Sequence, residues 1–176
     1  MFKAFFPDRY IVSSYKIDYE GLFEKGYRGL IFDIDNTLVP HGFPADDRSI
    51  RLMKRLKDIG YQVLFLSNNK EGRVKMFNDA VDCMYIYKAG KPSRKGFGEA
   101  MDKMGCTREN TILIGDQLFT DVWGAKRSGI MSILVAPIDK KEEFQIVLKR
   151  IAERIILRAY RNYCKKEGKV FLEDGE

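Results

Sequence analysis

Apolar positions along the chain fall into short continuous runs separated by stretches with helical spacing. The runs predict five strands, over residues 28–34, 61–66, near 83–87, 111–115 and 131–136. Between the first two, Leu52, Leu56 and Ile59 recur at helical spacing behind a cap at Asp46 or Asp47, and Gly60 suits the position just past a helix end. A short helix is expected over residues 71–80. A second is opened by Gly90-Lys91-Pro92 and carries Phe97, Ala100, Met101 and Met104 on one face, and a third runs over residues 120–128 to a stop at Gly129. The first 27 residues mix aromatics and charges and yield only a helix near residues 19–25, with Gly26 ending it. Residues 141–166 have the pattern of one long helix.

Short strands alternating with helices imply βαβ units and hence an α/β fold with a parallel sheet. In such sheets ligands bind beyond the carboxyl ends of the strands, where the strand order reverses. Asp33 and Asp35 stand where the first run breaks into a turn. Two acids there need a reason, because burying a carboxylate without a partner is costly. They suggest a site more than an accident, although alone they could also be a helix N-cap with a turn Asp. Ser67 and Asn68 follow the second run, Lys91 the third and Asp116 the fourth, so all these polar groups converge on one rim. That convergence favours a site.

Length and composition restrict what the site can be. The 176 residues suffice for one cored domain, and 45% hydrophobic with 32% charged residues suits a soluble globular protein. The longest apolar stretch, residues 129–138, falls far short of the roughly 18 residues of a membrane span. The first eight residues lack the apolar core of a secretion signal. Cys83, Cys106 and Cys164 are scattered and only one His is present, so neither a disulfide framework nor a zinc site is expected, and the cytoplasm is the expected compartment. The charge is unevenly placed. Lys140 to Lys169 carries ten Lys/Arg against four Glu, an excess as large as the net +6 of the whole chain.

Carboxylates, a hydroxyl and a lysine suit a magnesium ion and a phosphate group. The chain has no Cys/His catalytic pair, no GxGxxG and no Walker A sequence, since Gly90-Lys91-Pro92-Ser93 lacks the earlier glycine and is broken by Pro92. A carboxylate approaching a phosphoryl group meets repulsion of roughly 4 kcal/mol per charge pair at about 4 Å and an effective dielectric near 20. A cation and a lysine must offset it.

Asp33-Ile34-Asp35-Asn36-Thr37 resembles the DxDxT motif of haloacid dehalogenase (HAD)-type phosphatases. Ser67, Lys91 in Gly-Lys-Pro, and Gly115-Asp116-Gln117-Leu118-Phe119-Thr120-Asp121 resemble their second, third and fourth motifs, in family order. The resemblance implies a Rossmann-like three-layer sandwich with a five-stranded parallel sheet. It makes Asp33 the nucleophile and Asp35 the general acid and base. Ser67, Asn68 and Lys91 would bind the phosphate. Asp33, Asp116 and the Asp35 backbone carbonyl would hold Mg²⁺, and Asp121 would orient Lys91 or reach the metal through water. Family lid domains follow the first or second motif. Here 31 residues separate Asp35 from Ser67 and 23 separate Ser67 from Lys91, room for one helix and one strand each, so no cap domain is expected. The motifs resemble those of the bacterial class IIIA group, itself similar to the mitochondrial phosphatidylglycerophosphate phosphatase, and the resemblance implies a phospholipid substrate.

Two units are expected, a phosphatase core with an N-terminal extension over residues 1–139 and a basic amphipathic helix and tail over 140–176. The stripe Phe144, Leu148, Ile151 and Ile155, with Lys149, Arg150, Arg154, Arg158, Arg161, Lys165 and Lys166, either packs on the sheet or lies on an anionic membrane surface. Beyond Tyr160 an exposed arm is expected. Other readings are a phosphatase for a protein or nucleic-acid end, without any nucleic-acid module in evidence, and a non-catalytic membrane-surface adaptor. His41 reads as loop polarity or a headgroup contact, and Trp123 as core.

Overall fold

Six strands rather than five form the sheet, all parallel, in the order β1-β6-β5-β2-β3-β4. They are β1 (Arg9–Ile11), β2 (Gly29–Phe32), β3 (Gln62–Leu66), β4 (Met84–Ile86), β5 (Thr111–Gly115) and β6 (Met131–Val135). The computed structural model describes residues 2–139 and 144–175, with only the backbone described for 144–149. The extra strand, β1, is three residues long and too short to show a period. It is a strand because β6 pairs with it on one side and the C-terminal tail on the other.

Among the described residues six α-helices connect and flank the sheet: α1 (Tyr19–Glu24), α2 (Asp47–Ile59), α3 (Glu71–Asn78), α4 (Arg94–Met104), α5 (Trp123–Ser128) and α6 (Phe144–Glu167). The cap at the start of α2 is Asp46, whose carboxylate accepts from Ser49 N–H at 2.7 Å while the Ser49 hydroxyl accepts from Asp46 N–H. Gly60 closes α2 at φ +112°, a conformation glycine adopts without strain. Helix α4 starts at Arg94 behind the Ser93 cap, not at Gly-Lys-Pro, because Lys91 and Pro92 form a turn ahead of it. A wide π-type turn, Leu118–Val122, precedes α5.

Alternate residues of the inner strands fill two interiors. Leu30, Phe32, Phe65 and Ile114 face α1 to α3, meeting Leu22, Leu56 and Phe77. Ile31, Leu64, Leu66 and Leu113 face α4 and α5 through Phe97, Ala100 and Ala125. Sheets covered on both faces need such unbroken apolar strands. Each fully buried Phe or Leu contributes roughly 1.5–3 kcal/mol relative to an exposed position.

The long helix docks on the second face with a different side from the one its sequence suggests. Glu153, Ile156, Tyr160 and Cys164 are buried, whereas Ile151 and Ile155 of the expected stripe are 49% and 55% exposed. Side chains 144–149, including Phe144, Leu148 and Lys149, and the expected helix start at residues 141–143 lie outside the described ones. The rotation has a cause: Glu153 and Arg150 are drawn to the end of β5. The stretch beyond Tyr160 is not an exposed arm. Phe171 packs on Tyr10 and Tyr160 with ring centroids 5.5 and 5.7 Å away, and Glu173 exchanges backbone bonds with Tyr10 and Val12. Arg9 Nε adds contacts of 3.0 and 3.1 Å to the Glu173 carboxylate. Trp123 is half-buried rather than core, resting on Phe5 at 5.4 Å with Arg127 over its ring.

Between Asp35 and Ser67 lie only α2 and β3, and between Ser67 and Lys91 only α3 and β4. No cap domain interrupts the fold.

Candidate active site

From β2 the chain moves outward to β3 and β4, then returns across the sheet to β5 and β6 on the other side of β2. The crevice between the ends of β2 and β5 is therefore the reversal point, and Asp33 and Asp116 stand one residue beyond those two ends. After Asp33 the chain turns back on itself: Asn36 sits at φ +61°, which Asn tolerates better than most residues, and its N–H donates to Val39 O at 2.8 Å. The turn packs Thr37 inward, its hydroxyl 3.4 Å from Asp116 Oδ1.

Lys91 links the acids. Its Nζ donates to Asp33 Oδ1 and to Asp121 Oδ1, each at 2.7 Å. Asp121 is fully buried, and its other oxygen accepts from Gln117 N–H at 3.1 Å. It can approach because Gly115 has no side chain; a Cβ there would lie 2.5 Å from the Asp121 carboxyl carbon. Carboxylate oxygens of Asp33, Asp116 and Asp121 lie within 4.8 Å of one another.

Removal from water pushes Asp33 up to about 7 against the pull of Lys91, and the charges of Asp121 and Asp35 push the same way. Burial, then the neighbouring Asp33, holds the Asp116 carboxyl well above the usual range, with Arg150 opposing. Burial works against the Lys91 charge as well, but Asp121 and Asp33 together raise it, so the lysine stays protonated. Crowded, dehydrated carboxylates of this kind gain from a further cation. Hard oxygen donors at this spacing fit Mg²⁺.

The Asp35 carboxylate has a separate set of partners. Its Oδ1 accepts from Gly42 N–H at 2.8 Å and from Arg73 Nη2 at 2.8 Å, and its Oδ2 accepts from Asn69 Nδ2 at 2.7 Å. His41 is exposed, with Nδ1 3.7 Å from Asp35 Oδ1. The Ser67 hydroxyl accepts from Asn69 N–H at 3.1 Å. Both ends of the Asn68 side chain are committed to the Lys91 backbone, accepting from its N–H at 2.7 Å and donating to its carbonyl at 3.1 Å. Asn68 thus fixes the lysine loop, and its amide is engaged there instead of pointing at a ligand.

Sequence reasoning missed four participants. Arg73 lies on α3, two elements away from Asp35, and nothing in its neighbourhood marks it. Asn69 stands in the conspicuous Ser-Asn-Asn run and could have been suspected. Arg150 and Glu153 form an opposite-charge pair one helical turn apart, easily taken for surface decoration. In the fold, Arg150 Nη1 donates to the Asp116 carbonyl at 2.8 Å, its Nη2 pairs with the Asp116 carboxylate, and Glu153 Oε1 accepts from Leu118 N–H at 2.7 Å.

Residues 88–143 match a family model described as HAD-hydrolase-like. The chain is 39% identical over 173 residues to a Bacillus subtilis protein named Probable phosphatase YqeG, covering 98% of each. It is 28% identical over 162 residues to phosphatidylglycerophosphate phosphatase 1 of Arabidopsis thaliana, covering 85% of this chain and 45% of that one. A solved chain from Bacteroides fragilis, described as a haloacid dehalogenase-like hydrolase, superimposes with a TM-score of 0.51 at 16% identity, over 68% of this chain and 93% of the other, a likeness of fold alone. Identity of this extent along the whole chain shows that the protein belongs to the haloacid dehalogenase-like hydrolase family and is one of its phosphatases.

Proposed function

We propose that the chain is a Mg²⁺-dependent phosphomonoesterase that works through an aspartyl-phosphate on Asp33 and acts on phosphatidylglycerophosphate at a membrane surface. The observation that carries the chemistry is Lys91 held 2.7 Å from both Asp33 and Asp121 beside Asp116. Asp33, Asp116 and the Asp35 backbone carbonyl would hold the ion, which supplies positive charge to offset the phosphoryl oxygens. Asp33 attacks phosphorus and the bond to the substrate oxygen breaks; Asp35 gives that oxygen its proton. Water then attacks the acyl phosphate while Asp35 takes a proton back, releasing phosphate and restoring Asp33. Among the described residues Oδ2 of Asp35 accepts from Asn69 alone, which leaves acceptor capacity for the shuttled proton. Lys91 and the Ser67 hydroxyl bind the phosphoryl oxygens. Asn68 contributes through the loop it fixes.

The likeness to phosphatidylglycerophosphate phosphatases of Arabidopsis and Chlamydomonas supports the substrate. The outer face of α6 supports the location: Ile151 and Ile155 are exposed beside Arg154 and Arg158, and each near-surface Arg adds about 1 kcal/mol of attraction to anionic lipid. No helix among the described residues is long and apolar enough to cross a membrane. On this reading residues 1–139 are the catalytic core and 140–176 the basic unit that brings it to lipid. Phosphate release from phosphatidylglycerophosphate, compared with sugar phosphates, nucleotides and phosphopeptides, tests the proposal. A marked preference for the lipid is expected; turnover confined to phosphopeptides or nucleic-acid ends would overturn the substrate, and no Mg²⁺-dependent turnover of any of them would favour a membrane adaptor.

A further inference from the structure

A cavity of about 520 Å³ lies beneath α6, against the ends of β5 and β6. Its walls include Tyr10, Leu118, Leu134, Val135 and Leu157, and its lining includes Asp116 and Arg150. Asp116 therefore belongs to both the cavity and the carboxylate cluster that contains Asp33. The volume falls within the roughly 300–1,000 Å³ typical of small-ligand sites, and such sites combine apolar walls with a few placed polar groups.

The charged groups lining this cavity are Asp116, Asp139, Arg150, Glu153 and Arg154. Glu153 is committed to Arg150 and to Leu118 N–H. Arg154, on the next turn of the helix, lines the cavity, is exposed and has no hydrogen bond or ion pair among the described residues. A ligand in this cavity would lie beside Asp116, with Arg154 and the apolar wall of Leu118, Leu134 and Leu157 around it. That combination of phosphoryl site, cation and apolar pocket matches a molecule that carries a phosphomonoester, a second anionic group and an apolar remainder.

We infer that this cavity is a binding subsite for the phosphodiester and proximal acyl portion of a phosphorylated amphiphile. The inference rests on the phosphomonoesterase reading and extends it from the reacting phosphate to the rest of the substrate. Helix α6 then has a role usually left to a cap: it forms the wall that selects the substrate. Arg154 receives the second anionic group, and Leu157 with Leu134 and Leu118 contacts the apolar part.

Dihexanoyl phosphatidylglycerol tests this directly, because it has the phosphodiester and acyl chains but no phosphomonoester to hydrolyse. Calorimetric titration below its micelle concentration should show binding to the full chain. Leu157→Trp, which fills the cavity, and Arg154→Glu, which reverses the charge, should each weaken it about tenfold. Arg154→Glu changes an exposed side chain, so it keeps the test decisive if Leu157→Trp does not fold. Absence of wild-type binding, or unchanged affinity in the folded variants, would overturn the inference. Mg²⁺-dependent hydrolysis of an aryl phosphate, measured on the same wild-type sample, reports separately on the phosphomonoesterase reading: lipid binding without hydrolysis sinks that reading, and hydrolysis without lipid binding sinks the subsite.

Discussion

Arg73 and Asp35 are joined by two bonds to a single oxygen: Nε and Nη2 of the guanidinium lie 3.2 and 2.8 Å from Asp35 Oδ1. Helix α3 thereby aims the proposed acid, and Asn69 and the Gly42 N–H complete its setting. The arginine acts through Asp35 and touches no reacting atom in this scheme, so it is a positioning residue. Arg73→Ala should lower kcat for an aryl phosphate by about 10²-fold, the lower end of what general acid–base assistance is worth, with a smaller change in KM. Arg73→Lys should recover only part of the loss, since an ammonium cannot reproduce the two-bond fork. Steady-state kinetics of the two variants checks this, and an unchanged kcat in Arg73→Ala would remove the assigned role.

Asp33→Asn should abolish turnover while stabilising the ion-free protein at alkaline pH. The sign follows from the Asp33 carboxyl, raised in the folded chain from an ordinary value of 3.8 to about 7. A raised folded value favours the folded state below the unfolded value and loses that advantage as pH rises through about 7. The ion-free wild type should therefore lose stability between pH 4 and 8 on account of this group, and the asparagine variant should lose less. At pH 8 the variant should melt about 2–8 °C higher, as expected for 1–2 kcal/mol in a chain of this size. Thermal melts in chelator across this pH range provide the check.

Magnesium should act on the same balance. Added Mg²⁺ should raise the melting temperature of the wild type at pH 8, by an amount that grows with ion concentration. Asp116→Asn should blunt that rise because it removes one of the three clustered carboxylates. Melts over a magnesium series in both proteins would show it, and equal slopes would exclude Asp116 as a ligand.

Glu153 ties α6 to the start of the turn after β5. Glu153→Ala should destabilise the fold by about 2–4 kcal/mol, since Leu118 N–H and the Arg150 guanidinium both lose a buried partner. Glu153→Gln keeps an acceptor for Leu118 N–H and should cost less. Urea unfolding of both variants gives the comparison.

Removal of residues 169–176 should uncover the outer edge of β1, which now bonds to Glu173 through Tyr10 O and Val12 N–H. An uncovered edge offers unpaired backbone groups to other chains. The shortened protein should melt lower and form oligomers visible by light scattering at concentrations where the intact chain remains dispersed.

The inner strands and their order of appearance were legible in the sequence because a parallel sheet covered on both faces demands apolar runs, and β5 coincides with its expected limits at Thr111–Gly115. The rim positions of Asp33, Asp35, Ser67 and Asp116 were legible for a related reason: polar residues at the ends of such runs must surface at one rim, and Lys91 joins them through the loop after β4. The absence of a lid was also written in the chain, as the two short gaps between motifs. Strand β1 was not legible, because three residues become a strand only through β6 and a tail more than 160 residues away in sequence. Nor was the buried face of α6. The apolar stripe containing Ile151 and Ile155 has the right spacing to pack, yet pairing of Arg150 with Asp116 and of Glu153 with Leu118 turns the helix so that a mixed row of Glu153, Ile156, Tyr160 and Cys164 faces inward. Helical periodicity records which residues share a face; which face is buried depends on partners brought from elsewhere in the chain. The same limit hid Arg73. The sequence by itself determined that Asp33, Asp35 and Asp116 stand at the ends of apolar strands, while the tertiary structure alone decided what holds each carboxylate in place, because Lys91, Arg73 and Arg150 respectively reach them across the fold rather than along the chain.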